Sequence, residues 1–294
     1  MLRTQGDEYH LNIMQLTQAI LPVAGLGTRF LPWTKAVPKE LLPLGNEPII
    51  AHIVDECVAA GIQDICFVIS HGKEAIPAYF YEDPALEAEL ERRGKKEHLE
   101  QLRKYDDVNF HVVYQDVQHG DGHAILQAAD WVKSDHVAIC FGDDLFIEKD
   151  PAIVQLKKAY EASIEPVLSA VEGPDAAIIA LQQIDRSQTE RYGIVDVEKE
   201  DASNPRLKKL RGLVEKPKPD KAPSNLGIVG RYIIPRSTFG ILPQVEGSHG
   251  GEIRLIDALI KQLGPIEIYG YECEGRRLDT GTPEGYKEAV IALG

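Results

Sequence analysis

The sequence predicts an α/β fold, with a mostly parallel sheet covered on both faces by helices. Two observations carry that prediction. Short, continuous apolar runs alternate with helical stretches through the first half of the chain, and unbroken apolar strands are those buried on both faces. The composition agrees: 294 residues, 44% hydrophobic and 27% charged, suit one large globular α/β domain.

Taken in order, the first 18 residues, MLRTQGDEYHLNIMQLTQ, are polar and lack an apolar signal core. Residues 1–18 are therefore expected to be a short N-terminal extension. The first strand is the run from Ala19 to Ala24. A helix follows Pro48, with Ile49, Ile50, Ile53, Val54 and Cys57 on one side and Gly61 as its C-terminal stop. Ile65–Ile69 is the next strand, followed by a helix near Lys73–Phe80. The charge-dense stretch Leu86–Tyr105 reads as one solvated surface helix. Val112–Tyr114 and Val137–Phe141 are the third and fourth strands. The second half changes character: Ile178–Gln183, Gly193–Asp196 and Leu213–Glu215 read as shorter strands. Asp201–Leu207 reads as a turn and the proline-rich 215–224 as a loop.

Several function classes are excluded. A formal net charge of −14 opposes non-specific nucleic-acid binding, which must neutralise many phosphates. No run of 18 apolar residues occurs, so no membrane span is expected. Cys57, Cys66, Cys140 and Cys273 are widely spaced with no C-x-x-C, which argues against zinc or redox chemistry and fits a reducing cytoplasm. No serine or cysteine stands in a nucleophile elbow.

The most informative segment is AILPVAGLGTRFLPWTKAVPKELLPL, residues 19–44. An apolar strand opens into Gly25-Leu26-Gly27-Thr28-Arg29, and Lys39 follows ten residues after Arg29. Successive backbone N–H groups at a glycine turn cradle phosphates, and Arg29 and Lys39 add full charges beside them. The segment is not a dinucleotide fingerprint, because Phe30 holds the third glycine position, and no G-x-x-x-x-G-K-[ST] string occurs. Three other constellations follow. Gln115 and Gly120 lie in QDVQHGDGHA after the third strand. A side-chain amide there can pair with a pyrimidine edge, and a glycine allows close backbone approach. Asp143 lies in Phe141-Gly142-Asp143-Asp144 at the carboxyl end of the fourth strand, where open α/β sheets bind ligands and a carboxylate suits Mg²⁺. Asp279, in Leu278-Asp279-Thr280-Gly281-Thr282, offers a second carboxylate.

These motifs resemble the signature of sugar-nucleotide pyrophosphorylases, and T-K-A-x-P-K-E-x-L-P resembles the form found in bacterial UTP–glucose-1-phosphate uridylyltransferases. The resemblance runs in order from about Ala19 to Ala289. It implies one Rossmann-like α/β/α nucleotidyltransferase domain over 19–294, with a mixed, mostly parallel central sheet, a nucleotide half near 19–145 and a sugar-phosphate half near 146–294. It implies UTP and glucose 1-phosphate as partners, no nucleic acid, no membrane, and a homodimer or homotetramer. It assigns Ala24, Gly25, Gly27, Thr28, Gln115 and Gly120 to the nucleotide, and Arg29, Lys39 and Lys216 to catalysis. Mg²⁺ goes to Asp143 and Asp279, and the sugar to Gly193, Glu215, Asn225 and Glu252. For Glu252 the alternative is simple charge at a helix start. Asp121 stands where uridylyltransferases more often carry an apolar residue. Arg276–Thr282 resembles the ending common in thymidylyltransferases, so dTTP or another nucleotide stays open. So does a non-catalytic sugar-nucleotide sensor, which would not require both lysines and both aspartates.

Overall fold

The computed structural model describes residues 15–170, 175–246 and 251–294. Apart from 15–18, the expected N-terminal extension lies outside these residues, and Gln18 already opens the first strand. The strands are β1 (Gln18–Pro22), β2 (Pro43–Leu44), β3 (Glu47–Pro48), β4 (Asp64–Ile69), β5 (Asn109–Tyr114), β6 (His136–Cys140), β7 (Asp144–Ile147), β8 (Ala176–Gln183), β9 (Gly193–Glu200), β10 (Leu207–Glu215), β11 (Leu226–Pro235), β12 (Glu267–Glu272) and β13 (Arg276–Asp279).

Among the described residues the central sheet has nine strands in the order β5-β4-β1-β6-β11-β8-β12-β10-β9. Parallel pairing joins β5, β4, β1 and β6, and joins β8 to β12. β11 is antiparallel to β6 and β8, and β10 to β12 and β9. Seven strands (β5, β4, β1, β6, β8, β12 and β9) thus share one direction, and the expected mixed, mostly parallel sheet is present. Two two-stranded ribbons, β2–β3 and β7–β13, complete it.

The period-2 alternation of each strand builds two cores, one on each face. Leu21, Phe67, Cys140 and Ile178 face helices Ile49–Ala59 and Ala152–Ala159 on one side. Ile20, Cys66, Ile139 and Ile179 face helices Asp121–Gln127 and Leu255–Gln262 on the other. All ten residues of β11 are buried, as befits the central strand of the sheet. The four cysteines are buried and unpaired, acting as small hydrophobes.

Several elements differ from expectation. The charged stretch is two helices, Pro84–Arg92 and Lys96–Leu102, because Gly94 sits at φ 67° and breaks the ladder. The helix expected near Lys73–Phe80 shrinks to Ala75–Ala78. β9 and β10 run farther than expected because their polar outer ends, from Val197 to Glu200 and from Leu207 to Leu210, pair with each other in an antiparallel hairpin at the sheet edge.

Candidate active site

Two adjoining cavities open at the carboxyl ends of β1 and β6. One, of about 480 Å³, is lined by the 24–29 loop, Lys39, Gln115, Gly120 and Asp143. The other, of about 450 Å³, is lined by Gly193, Glu215, Lys216, Tyr192, Arg277 and Asp279. Arg29, Asp121, Phe141 and Asp143 line both, so the two are halves of one cleft.

The first cavity is built mainly from backbone. Beyond β1, Val23 continues the ladder by donating to Val68 O at 2.9 Å. Gly27 then turns through φ 65°, and its carbonyl accepts from Thr34 Oγ1 at 2.9 Å. That turn starts the short helix Thr28–Phe30 that carries Arg29, which donates to Gly281 O at 3.2 Å. Lys39 opens another short helix, Lys39–Leu41. Beneath it the buried Lys73 ammonium donates to Val23 O at 2.7 Å and to Glu40 Oε2 at 3.0 Å, tying the strand exit to the lysine turn. Burial pulls the Lys73 pKa down against the opposing pull of Glu40.

At the far end, Gln115 is 2% exposed. Its amide nitrogen donates to Gly120 O at 3.1 Å and lies 3.0 Å from His123 Nδ1. With the amide nitrogen committed to Gly120 O, the amide oxygen is the group it can offer to a base. Gly120 sits at φ 95°, and a Cβ there would drive into the Ile253 carbonyl. This close approach comes from reciprocal backbone bonds, Ile253 N–H to His119 O at 2.8 Å and Gly122 N–H to Ile253 O at 3.0 Å.

The carboxylates meet at the seam. Lys39 Nζ lies 2.6 Å from Asp143 Oδ2. Burial works against the Lys39 ammonium, but the Asp143 and Glu40 carboxylates outweigh it and hold its pKa above the usual lysine range. Burial likewise pushes Asp143 up, and Lys39, with Arg277 and Arg29 behind it, overrides this and holds the carboxyl low. Asp279 is brought over by the β7–β13 ribbon, in which it pairs with Asp144. Thr280 locks the junction, donating to Asp143 O from its N–H at 2.8 Å and from Oγ1 at 2.9 Å. A Cβ on Gly281 would sit 2.6 Å from Asp143 Oδ2 and 3.1 Å from Asp279 Oδ1, so the two carboxylates converge on one point.

Behind the seam lies a buried Arg231. It donates to the carbonyls of Phe141 (2.9 Å), Asp144 (2.6 Å) and Gly230 (3.1 Å), and to Glu56 Oε2 at 2.8 Å. It thereby fixes the backbone on both sides of Asp143. Asp144 turns away from Asp143 to accept from Gly230 N–H at 3.0 Å and to pair with Arg277. Arg277 in turn lies over the Tyr192 ring, 5.3 Å from its centroid.

The second cavity is built from paired side chains. Glu215 Oε1 takes Arg254 Nη1 at 2.6 Å and Lys216 Nζ at 3.2 Å. Lys216 adopts φ 46°, a left-handed conformation strained for a residue with a Cβ, and its N–H donates to Tyr192 O at 3.0 Å. Arg191 Nη2 lies 3.5 Å from Asp279 Oδ2.

Of the sequence-predicted residues, Ala24, Gly25, Gly27, Thr28, Arg29, Lys39, Gln115, Gly120 and Asp143 line the first cavity, and Gly193, Glu215, Lys216 and Asp279 the second. Glu252, assigned to the sugar, lines the first cavity instead, because its segment packs on the Gly120 turn. Asn225 lines neither; its exposed amide lies 3.4 Å from Gln183 Oε1. Sequence reasoning missed Arg191, Arg231, Arg254 and Arg277 as site residues. Only Arg277 had a local signal, its place two residues before Asp279. Gln118, which donates to Ala24 O at 3.2 Å, was also passed over.

Comparison with known proteins places this cleft in context. The sequence profile described as nucleotidyl transferase matches residues 18–293. A UTP–glucose-1-phosphate uridylyltransferase of Staphylococcus saprophyticus is 40% identical over 279 residues, spanning 95% of this chain and 92% of that protein. A UTP-bound UDP-glucose pyrophosphorylase of Acinetobacter baumannii superposes with a TM-score of 0.84 at 32% identity, covering 95% of this chain and 94% of the other. A UDP-glucose pyrophosphorylase solved with UDP-glucose gives 0.80 at 30% identity, covering 95% and 98%. With its profile match over 18–293 and relatives of matched length, the chain belongs to the nucleotidyl transferase family.

Proposed function

We propose that the protein joins UTP to α-D-glucose 1-phosphate, releasing UDP-glucose and pyrophosphate. The observation that carries this reading is the two-part cleft: a glycine phosphate loop with Arg29 and Lys39 on one side, Glu215 and Lys216 on the other, and Asp143 on their shared wall. Relatives similar over nearly the whole chain bear the same activity in their names.

In this reading a phosphate oxygen of the sugar phosphate attacks the α-phosphorus of UTP in line, and the bond to the bridging oxygen breaks as pyrophosphate leaves. Catalysis is positioning and electrostatics. The 24–28 backbone and Arg29 hold the β- and γ-phosphates. Lys39 offsets charge at the reacting phosphorus once substrate draws it from Asp143, and Lys216 faces the acceptor phosphate. Gln115 accepts from the uracil N3–H through its amide oxygen, while Gly120 lets the backbone approach the base. Glu215 accepts sugar hydroxyl bonds above Gly193.

The carboxylates at the seam fit Mg²⁺. Asp143 Oδ2 and Asp279 Oδ1 are hard oxygen donors converging beside Gly281, where a side chain would fill the space between them. Bound there, Mg²⁺ would screen the charge of the two anionic substrates.

The test is pyrophosphate release from UTP and glucose 1-phosphate with Mg²⁺, in wild type and in Asp279→Asn. Robust release that this variant loses supports the reading. UTP binding without release in the wild type overturns it.

A further inference from the structure

Arg254 lies in the 252–255 segment that packs on the Gly120 turn, and it is among the most fully bonded side chains of the cleft. Its Nη1 donates to Glu215 Oε1 at 2.6 Å. Its Nη2 and Nε reach Glu252 Oε2 at 2.9 and 3.3 Å. Only 14% of the Arg254 side chain and 13% of that of Glu215 is exposed, so this pair is shielded from water, whereas Glu252, 49% exposed, is on the rim.

The bonding has a direction. Glu215 Oε1 is saturated by Arg254 and Lys216. Its other oxygen, Oε2, lies over Gly193, 3.3 Å from where a Cβ would stand, on the wall of the second cavity. Lys216 alone would not fix that orientation: it is 43% exposed and a single ammonium on a flexible stem. The planar guanidinium, with its other edge on Glu252, does.

Arg254 is itself held in place from the neighbouring helix by Asp121. Asp121 Oδ1 accepts from Leu255 N–H at 2.8 Å, at the start of helix Leu255–Gln262. This caps the helix and pins the backbone next to Arg254. The same strand of contacts reaches the first cavity through Gly120 and Glu252.

We infer that Arg254, pinned by Asp121 and Glu252, is a positioning residue for recognition of the sugar phosphate: it holds the Glu215 carboxylate in place, with Oε2 turned to the hydroxyls. This rests on the function proposed above. Removing it frees Glu215 to rotate and to pair with Lys216 through either oxygen, so hydroxyl recognition weakens while UTP contacts stay.

The experiment is steady-state kinetics with both substrates varied, in wild type, Arg254→Met and Arg254→Lys. The expected result for Arg254→Met is a KM for glucose 1-phosphate raised about tenfold, with KM for UTP within about twofold. Arg254→Lys, which keeps one charge-assisted bond to Glu215, should recover part of that loss. In a Glu215→Gln background, Arg254→Met should add little, since its target is already altered. An unchanged KM for the sugar phosphate, or both KM values rising together, overturns the inference. If Arg254→Met does not fold, Arg254→Lys decides: a selective rise in the sugar KM supports it, no rise overturns it. A wild-type enzyme inactive with UTP overturns the proposed function and this inference together, whereas an active wild type with unaffected variants overturns the inference alone.

Discussion

The two halves of the cleft are built by different means. The first rests on parallel strands and is shaped by backbone: glycines at 25, 27, 120, 142 and 281 line it, two of them at positive φ, and Lys39 and Arg29 are its cations. The second rests on the antiparallel β9–β10 hairpin and the β7–β13 ribbon, and is shaped by ion pairs: Arg254 with Glu215, Arg277 with Asp144, Arg191 with Asp279. A polyphosphate is an array of acceptors, which backbone N–H groups and fixed dipoles match at no side-chain entropy cost. Sugar hydroxyls both donate and accept, and need carboxylates held at set angles. Backbone-built walls should therefore fail when atoms are added, and pair-built walls when one partner is removed.

The largest effect should fall on the seam that serves both halves. Lys39→Ala or Asp143→Ala should cost about 10³-fold or more in kcat, with the far-UV spectrum unchanged. Near-normal turnover in either would remove the shared centre from the comparison.

Next come changes that break a wall. Arg231→Met strips the 141–144 backbone of its donors and leaves Glu56 buried without its cation, so a loss of about 3 kcal/mol in denaturant unfolding is expected. Arg191→Ala, half-exposed and 3.5 Å from its partner, should change stability by no more than about 1 kcal/mol. Similar values for both would show that burial does not decide the matter.

Within the first half, two glycines can be set against each other. Gly120→Ala pushes a Cβ into the Ile253 carbonyl at φ 95° and should destabilise by about 2 kcal/mol. Gly25→Ala meets nothing within 4 Å in the protein, so stability should hold while KM for UTP rises as the methyl enters the cavity. Equal thermal shifts for both would contradict the distinction.

A pH-dependent effect is expected at the wall between the halves. Burial, with help from the Glu215 charge, raises the Asp121 pKa to about 6, against the opposing Leu255 N–H and Arg254. Because the folded value lies above the unfolded one, its stabilising contribution is complete below about pH 4 and is lost as pH rises through about 6. Asp121→Asn keeps an acceptor for Leu255 N–H and should remove this slope. Relative to wild type the variant should gain about 3 kcal/mol between pH 4 and pH 7, read by urea unfolding at each pH.

What was legible in the sequence follows the same division. The 24–39 wall of the first cavity could be read because Gly25, Gly27, Thr28, Arg29 and Lys39 lie within one local segment. The strands β1, β4 and β6 could be read because burial on both faces leaves unbroken apolar runs. Arg231 could not be read: its partner Glu56 lies 175 residues away, and nothing local marks an arginine inside the apolar strand β11. Arg254 was hidden likewise, since its meaning comes from packing the 252–255 segment on the Gly120 turn. That packing also set Glu252 on the first cavity, and Asn225 fell outside both because its amide, just before β11, turns toward Gln183. Asp121 looked like a departure from pattern, and its cap on Leu255 became visible only when two segments 134 residues apart met.

The most direct test of the account is pyrophosphate release with Mg²⁺ and glucose 1-phosphate, comparing UTP, dTTP, CTP, ATP and GTP, with EDTA as control. The account predicts strong release with UTP that EDTA abolishes. Release that prefers another nucleotide would contradict the uridylyl assignment, and nucleotide binding without any release would contradict catalysis itself.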